Sequence, residues 1–74
     1  MNIDEQLAEA AKSFDTSKYG DGITIRPYMQ NSSLLIEVSG REFGDDDQDD
    51  FLKIVENAKI CIREYFEKKG WAIP

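Results

Sequence analysis

The sequence predicts a small α+β domain with an N-terminal helix, an antiparallel β-hairpin or three-stranded sheet, and a long C-terminal helix packed on one face of the sheet. Two patterns of hydrophobicity indicate this order. Near both ends of the chain, apolar residues recur at three- and four-residue steps, which is typical of amphipathic helices; in the middle they alternate with polar residues, which is typical of half-buried strands. The chain has 74 residues, so we expect residues 1–74 to form a single domain.

The first helix is predicted over residues 3–14. Its apolar stripe consists of Ile3, Leu7, Ala11 and Phe14. Asn2 is placed to cap the first turn, because an Asn side chain can accept a hydrogen bond from an early backbone N–H. Polar and glycine residues at 15–22 are expected to end the helix and turn the chain.

Two strands are predicted at 22–28 and 33–39, joined by a turn at 29–32 into an antiparallel hairpin. The residues expected to face the core are Ile23, Ile25, Leu34, Ile36 and Val38. Pro27 cannot donate to a neighbouring strand, so the first strand is expected to lie at an edge of the sheet or to end near Pro27. Residues 41–43 either continue the second strand or form a short third one.

The long C-terminal helix is predicted over residues 47–69. Its broad apolar face consists of Phe51, Ile54, Val55, Ala58, Cys61, Ile62, Tyr65 and Phe66. Lysines in its last turn and Gly70 directly after it are typical of a helix C-terminus. We expect Trp71 to pack back onto the sheet or between the helices.

The composition argues against catalysis. The chain has no histidine, which removes the commonest general base and zinc ligand, and it has no glycine-rich phosphate-binding motif. Its one cysteine, Cys61, falls on the apolar face of the long helix and is expected to be a small buried hydrophobic residue rather than a nucleophile. We therefore expect a non-enzymatic protein without a cofactor.

Charge and hydropathy restrict the partners and the compartment. No apolar run approaches the roughly 18 residues needed to cross a bilayer, and the N-terminus lacks the features of a signal peptide, which favours a cytoplasmic protein. Fifteen acidic against nine basic residues give a net charge of −6, which disfavours direct binding to nucleic acid or to an anionic membrane. A basic protein partner is expected instead.

The whole net charge lies in residues 42–50, which contain six acidic residues and no base. These candidate partner-binding residues are Glu42, Asp45, Asp46, Asp47, Asp49 and Asp50. Helix capping explains part of the run, because the helix dipole stabilises acids at the N-cap and in the first turn, and Asp46 or Asp47 is the expected cap. The functional hypothesis rests on the four acids that local structure does not require, namely Glu42, Asp45, Asp49 and Asp50.

A calcium site is a less favoured interpretation of the same run. Positions 1, 3, 5 and 12 of an EF-hand loop correspond to Asp45, Asp47, Asp49 and Glu56. Position 6, which is glycine in that loop, is Asp50, and residues 51–56 also belong to the apolar stripe of the predicted helix. Weak, adventitious calcium binding is therefore expected in preference to a specific site.

The run has the linear charge of a nucleic-acid backbone. The five acids at 45–50 carry one negative charge per roughly 2 Å if the segment is helical, near the value of about 1.7 Å for duplex DNA, and about half that density if it is extended. With its small size, α+β pattern and lack of histidine, the chain resembles the small acidic phage-encoded inhibitors that mimic nucleic acid, in particular the anti-CRISPR proteins. The resemblance implies an inhibitor that acts in the host cytoplasm and blocks a basic nucleic-acid-binding surface of a bacterial defence or DNA-processing complex.

The main alternative is a homo-oligomeric structural or regulatory module, with a homodimer as its simplest form. Its interface would be apolar and would use whichever of five residues are exposed: Tyr28, Leu35, Phe43, Tyr65 and Trp71. A domain of this size is expected to be only marginally stable, which favours stabilisation by a partner or by a second copy.

Overall fold

A computed structural model describes residues 2–74 and confirms the α+β class. The order of elements is α1 (Ile3–Ala11), β1 (Thr24–Gln30), β2 (Ser33–Ser39) and α2 (Gln48–Lys69), with single 3-10 turns at Ser17–Tyr19 and Asp45–Asp47. β1 and β2 form a two-stranded antiparallel sheet, and residues 41–43 do not add a third strand. α1 packs against β1, α2 packs against β2, and the two helices pack against each other.

α1 begins as predicted but ends three residues early. Asn2 caps it, since its Oδ1 accepts a hydrogen bond from the backbone N–H of Glu5 at 2.9 Å. The helix ends at Ala11 because the N–H groups of Ser13 and Phe14 bond three residues back, each at 3.1 Å, and not four residues back. Phe14 still packs against the core from the loop that follows.

A two-residue turn joins the strands. Asn31 and Ser32 have φ values of 51° and 65°, the left-handed conformation that a type I′ turn requires at both central positions. Met29 and Gln30, which were predicted to lie in the turn, therefore continue β1 to its end. The strand also begins two residues later than the predicted start at Gly22.

The core lies between the inner face of the sheet and the two helices. Pro27 lies opposite Ile36 and Ile25 lies opposite Val38, so the apolar side chains of both strands share one face, as predicted. The buried apolar residues are Leu7, Ala10, Ile23, Leu34, Ile36, Ile54, Ala58, Ile62 and Phe66. Phe66 is fully buried, and burial of such a ring contributes about 1.5–3 kcal/mol to stability.

α2 ends in a Schellman motif. Gly70 has a φ of 72°, and the N–H groups of Gly70 and Trp71 donate to the carbonyls of Glu67 and Phe66 at 3.1 and 2.9 Å. The Trp71 ring lies edge-on to Phe66 with 5.3 Å between centroids, and 5.8 Å from the ring of Tyr65. Trp71 therefore packs against the last turns of its own helix and against the core.

α1 and α2 run antiparallel, because residues later in the N-terminal segment contact residues earlier in α2. Glu9 accepts a hydrogen bond from Tyr65 Oη at 2.7 Å, and Ser13 Oγ lies 3.3 Å from Cys61 Sγ. Cys61 is half-buried in this helix–helix contact. The sequence predicted a buried cysteine, whereas the structure buries Cys61 only in part, beside the hydroxyl group of Ser13.

Candidate functional site

The acidic residues lie on the connection from β2 to α2 and on the start of α2, a segment we call the acidic turn (residues 42–50). The chain leaves the sheet at Gly40 with a φ of 90°. A Cβ atom at Gly40 would lie 2.9 Å from the carbonyl carbon of Gly22 and 3.3 Å from Cα of Ile23. Only glycine therefore allows the two backbone segments to meet there, and their close approach fixes the direction in which the chain enters the acidic turn.

Arg41 organises the acidic turn from a half-buried position. Its Nη1 donates to the carbonyl of Tyr19 at 3.0 Å, and its Nη2 donates to the carboxylates of Asp47 and Asp50 at 3.2 and 3.3 Å. The guanidinium also lies over the ring of Phe43, 4.8 Å from its centroid. One cation therefore ties the acidic turn to the loop after α1 and to the first turn of α2.

The expected helix cap is not formed. Asp47 occupies the N-cap position of α2, but its carboxylate accepts no hydrogen bond from the helix N–H groups. Its backbone, with φ −104° and ψ 10°, lacks the extended conformation of a capping residue, and its side chain bonds to Arg41 instead. Asp46, the other expected cap, lies within the 3-10 turn, which also has no side-chain cap. The signal for Arg41 in the sequence was that it is the base next to the acidic run.

Four carboxylates of the acidic turn make no ion pair with any described residue: Glu42, Asp45, Asp46 and Asp49. All four residues are exposed. Three of these four acids belong to the predicted functional set, and one member of that set has been replaced. Asp50 leaves the set because Arg41 binds it, and Asp46 joins it because it caps no helix.

The acidic turn is helical over most of its length. The 3-10 turn Asp45–Asp47 runs directly into α2, with rises of about 2.0 and 1.5 Å per residue. The five carboxylates of residues 45–50 therefore arise from about 9 Å of helix axis, or one per roughly 2 Å, close to the one charge per about 1.7 Å of duplex DNA. Arg41 offsets one of these charges. Dense negative charge is thus combined with a backbone held in place.

The residues of the calcium interpretation are not brought together. Gln48–Lys69 is one continuous helix, so Asp49 and Glu56 are separated by about 10 Å along its axis. Asp47, a further member of that set, is bound to Arg41. In residues 2–74, no three Cys, Asp or Glu side chains are grouped so that they could hold a metal ion. An EF-hand loop needs its ligands to converge on one ion, which this helix prevents.

The residues considered for an apolar oligomer interface are all half-buried: Tyr28, Leu35, Phe43, Tyr65 and Trp71. The large apolar side chains with the greatest exposure include Leu52 at 54% and Ile60 at 50%, both on α2. They are eight residues apart, which places them within about 80° of each other around the helix axis. One apolar surface available to a partner therefore lies on the outer side of α2.

Comparison with known proteins assigns no family, since no family model, curated protein or solved structure matches the chain. In the part of the chain that the structure describes, no helix has both the length and the apolar character needed to cross a membrane. Inference about function therefore depends on the residues of the chain itself.

Proposed function

We propose that the protein is a non-enzymatic inhibitor whose acidic turn binds the basic nucleic-acid-binding surface of a bacterial defence or DNA-processing complex. The observation that carries the proposal is the group of exposed carboxylates without an ion pair in residues 2–74, namely Glu42, Asp45, Asp46 and Asp49. They lie in the segment that holds the whole net charge of the chain. A groove lined by Lys and Arg, with its cations spaced for phosphates, is the complementary surface.

The acidic turn competes with nucleic acid by presenting a similar charge at a similar spacing. Long-range attraction between the turn and a basic groove speeds their encounter. Cations that would contact phosphates then contact carboxylates, with charge-assisted hydrogen bonds in both cases. Because the groove cannot hold both ligands, inhibition is stoichiometric and needs no chemical step.

Arg41 supports this role because it orders the turn before a partner arrives. Repulsion among six neighbouring acids favours an extended and mobile segment. The bonds from Arg41 to Asp47, Asp50 and the carbonyl of Tyr19 oppose that repulsion and hold the turn in its helical form. A binding segment that is already ordered loses less conformational entropy on association.

The test is competition between the chain and nucleic acid for the captured partner. The acidic-turn variant combines Glu42→Gln, Asp45→Asn, Asp46→Asn and Asp49→Asn. It leaves Arg41 and the carboxylates that Arg41 binds unchanged. Proteins are captured on the immobilised chain from nuclease-treated bacterial lysate, and displacement of labelled DNA or RNA from the captured protein is titrated with soluble chain. Loss of four exposed ion pairs is expected to weaken displacement by about tenfold to several hundredfold.

A matched control removes the same number of charges from the other end of the molecule. It combines Asp4→Asn, Glu5→Gln, Glu64→Gln and Glu67→Gln, all at exposed positions. Because the net charge of the two variants is equal, only the position of the charge differs, and the control is expected to displace nucleic acid nearly as well as the wild type. Circular dichroism verifies that both are folded. Equal weakening of both variants, or full activity of the acidic-turn variant, contradicts the proposal.

A homo-oligomeric module is the second candidate function, and the exposure of Leu52 and Ile60 on one side of α2 favours it. Burial of both side chains against a second copy would remove two of the largest exposed apolar groups from water. Light scattering over a range of protein concentrations distinguishes this candidate, because a strict monomer at high concentration excludes it.

A further inference from the structure

We propose a second interaction surface, independent of the acidic turn: the groove between α1 and β1 takes one extended peptide segment of a partner, paired antiparallel to β1. The groove has a volume of about 580 Å³, within the range of about 300–1,000 Å³ that is usual for ligand sites. Its apolar lining consists of Ala8, Ala11, Phe14, Ile23, Ile25 and Pro27. The two alanines on the helix side leave room for the side chains of a bound segment.

The open edge of β1 forms one wall of the groove. The described residues form a sheet of only two strands, so β1 has a strand partner on one side alone. Residues 23–27 line the groove consecutively, which brings the backbone of β1 to its surface. Pro27 has no N–H group that could donate to β2, so the backbone hydrogen bonds to β2 are made by its neighbours Arg26 and Tyr28. By the alternation of antiparallel pairs, the N–H and C=O of Ile25 and the C=O of Pro27 point to the open edge, where an added strand can bond to them.

A folded second copy does not fit this edge. α1 packs against β1 on the inner side of the sheet, and its alanines form the opposite wall of the groove. Both strands of a second copy carry a helix on that same side, α1 over β1 and α2 over β2, and this helix would collide with α1 of the first copy. A single extended segment carries no such layer and can enter.

Two charges define the direction of the segment. Asp4 and Lys12 line the groove from α1, about 12 Å apart along the helix axis. Thr16 Oγ1 donates to the carbonyl of Ile23 at 2.8 Å, which places the Lys12 end of α1 beside the start of β1 and the Asp4 end beside Pro27. A segment antiparallel to β1 therefore enters at Asp4 and ends at Lys12. The complementary segment has a base near its start, an apolar residue in the middle and an acid near its end, all facing α1.

The probe is the peptide acetyl-Val-Lys-Thr-Val-Thr-Glu-Val-amide, which has no net charge. Its Lys and Glu are four residues apart, or about 13 Å in an extended strand, which matches the separation of Asp4 and Lys12. Titration into ¹⁵N-labelled full-length chain is followed by amide chemical shifts. We expect saturable shifts at Ala8, Ala11 and Ile25, with a Kd in the high-micromolar to millimolar range, as is usual for a short flexible ligand.

Three controls test the direction, the backbone pairing and the location. The peptide with Lys and Glu exchanged has the same composition and is expected to bind about two- to tenfold more weakly, because both ion pairs become repulsive. Methylation of the amide nitrogens that face β1 is expected to abolish saturation. Ala8→Phe, at an exposed position in the groove, is expected to weaken binding by at least about tenfold, whereas Ala72→Phe, at an exposed position that does not line the groove, is expected to leave it unchanged.

Several results overturn the proposal. These are the absence of saturable shifts with either peptide, equal binding of the methylated peptide, and unchanged binding by Ala8→Phe. Amide chemical shifts of residues 24–30 that change with protein concentration in the absence of peptide would show that a second copy binds the open edge of β1. This result would also overturn the proposal.

Discussion

Replacement of Gly40 by alanine is expected to destabilise the fold by about 2–5 kcal/mol, from two separate costs. An L-residue at a φ of 90° adopts a left-handed conformation, which costs about 1–2 kcal/mol. The added Cβ would also overlap the carbonyl group of Gly22, and overpacking of this kind costs about 1–3 kcal/mol. A domain of this length has a stability of only about 4–11 kcal/mol, at roughly 0.05–0.15 kcal/mol per residue. The change therefore removes a large share of the total.

Gly44→Ala is the matched control for this substitution. Gly44 has a φ of −84°, and a Cβ there would meet nothing within 4 Å. Alanine is therefore expected to be neutral or to stabilise by up to about 1 kcal/mol, because it restricts the unfolded chain. Urea unfolding followed by circular dichroism measures both variants. With a slope of about 1 kcal/mol/M, Gly40→Ala is expected to lower the urea midpoint by about 2–5 M. Equal midpoints for the two variants would refute the close approach of Gly40 to Gly22 as the anchor of the acidic turn.

Three further predictions concern Arg41, Tyr65 and Phe66. Arg41→Gln removes two ion pairs and the hydrogen bond to the Tyr19 carbonyl, and it is expected to lower the free energy of unfolding in urea by about 1.5–3 kcal/mol. The control is Arg26→Gln, which is expected to lose less stability because both side chains of its ion pair with Glu37 are exposed. Equal losses in the two variants would contradict the role given to Arg41. The hydrogen bond from Tyr65 to Glu9 raises the pKa of the Tyr65 phenol above its ordinary value of 10.0. The stabilisation from this hydrogen bond is therefore fully present below pH 10 and is lost as the pH rises through the folded-state pKa. The melting temperature of the wild type is expected to fall more steeply above pH 10 than that of Tyr65→Phe. Parallel plots of melting temperature against pH for the two proteins would contradict this stabilising role. Phe66→Ala removes the ring that Trp71 meets edge-on and is expected to cost about 3–5 kcal/mol and to shift the Trp71 fluorescence to longer wavelength; a loss below about 1 kcal/mol places the core elsewhere.

The helices were predictable because their determinants are local. The apolar stripe of α2 and the glycine that follows it place the C-terminus at Lys69, as observed, and Asn2 caps α1 as its residue type indicated. The strand ends were less predictable. Asn31 is a residue type that tolerates positive φ, but Ser32 stands where a type I′ turn commonly has glycine. The residue types therefore did not show that both positions would adopt positive φ and that both strands would extend to the turn.

The pairing within the acidic turn could not be predicted from local sequence. Arg41 reaches Asp47 and Asp50 because the chain changes direction at Gly40, and that change depends on contact with Gly22, which is 18 positions earlier in the sequence. Helix capping rules, applied without that tertiary contact, assigned Asp47 to the helix and Asp50 to the free acids. The groove between α1 and β1 was invisible for the same reason, since it exists only where two separate elements meet.

The length of α2 limits how the acidic turn can meet a partner. A helix of 22 residues is about 33 Å long, nearly the full 38 Å length of the molecule, whose other two dimensions are 25 and 16 Å. The acidic turn therefore lies at one end of an elongated molecule whose cross-section is about 25 by 16 Å. A flat partner surface can meet only this narrow end, whereas a deep groove can also contact the sides of α2 or α1 and so reach the interface area of a stable complex.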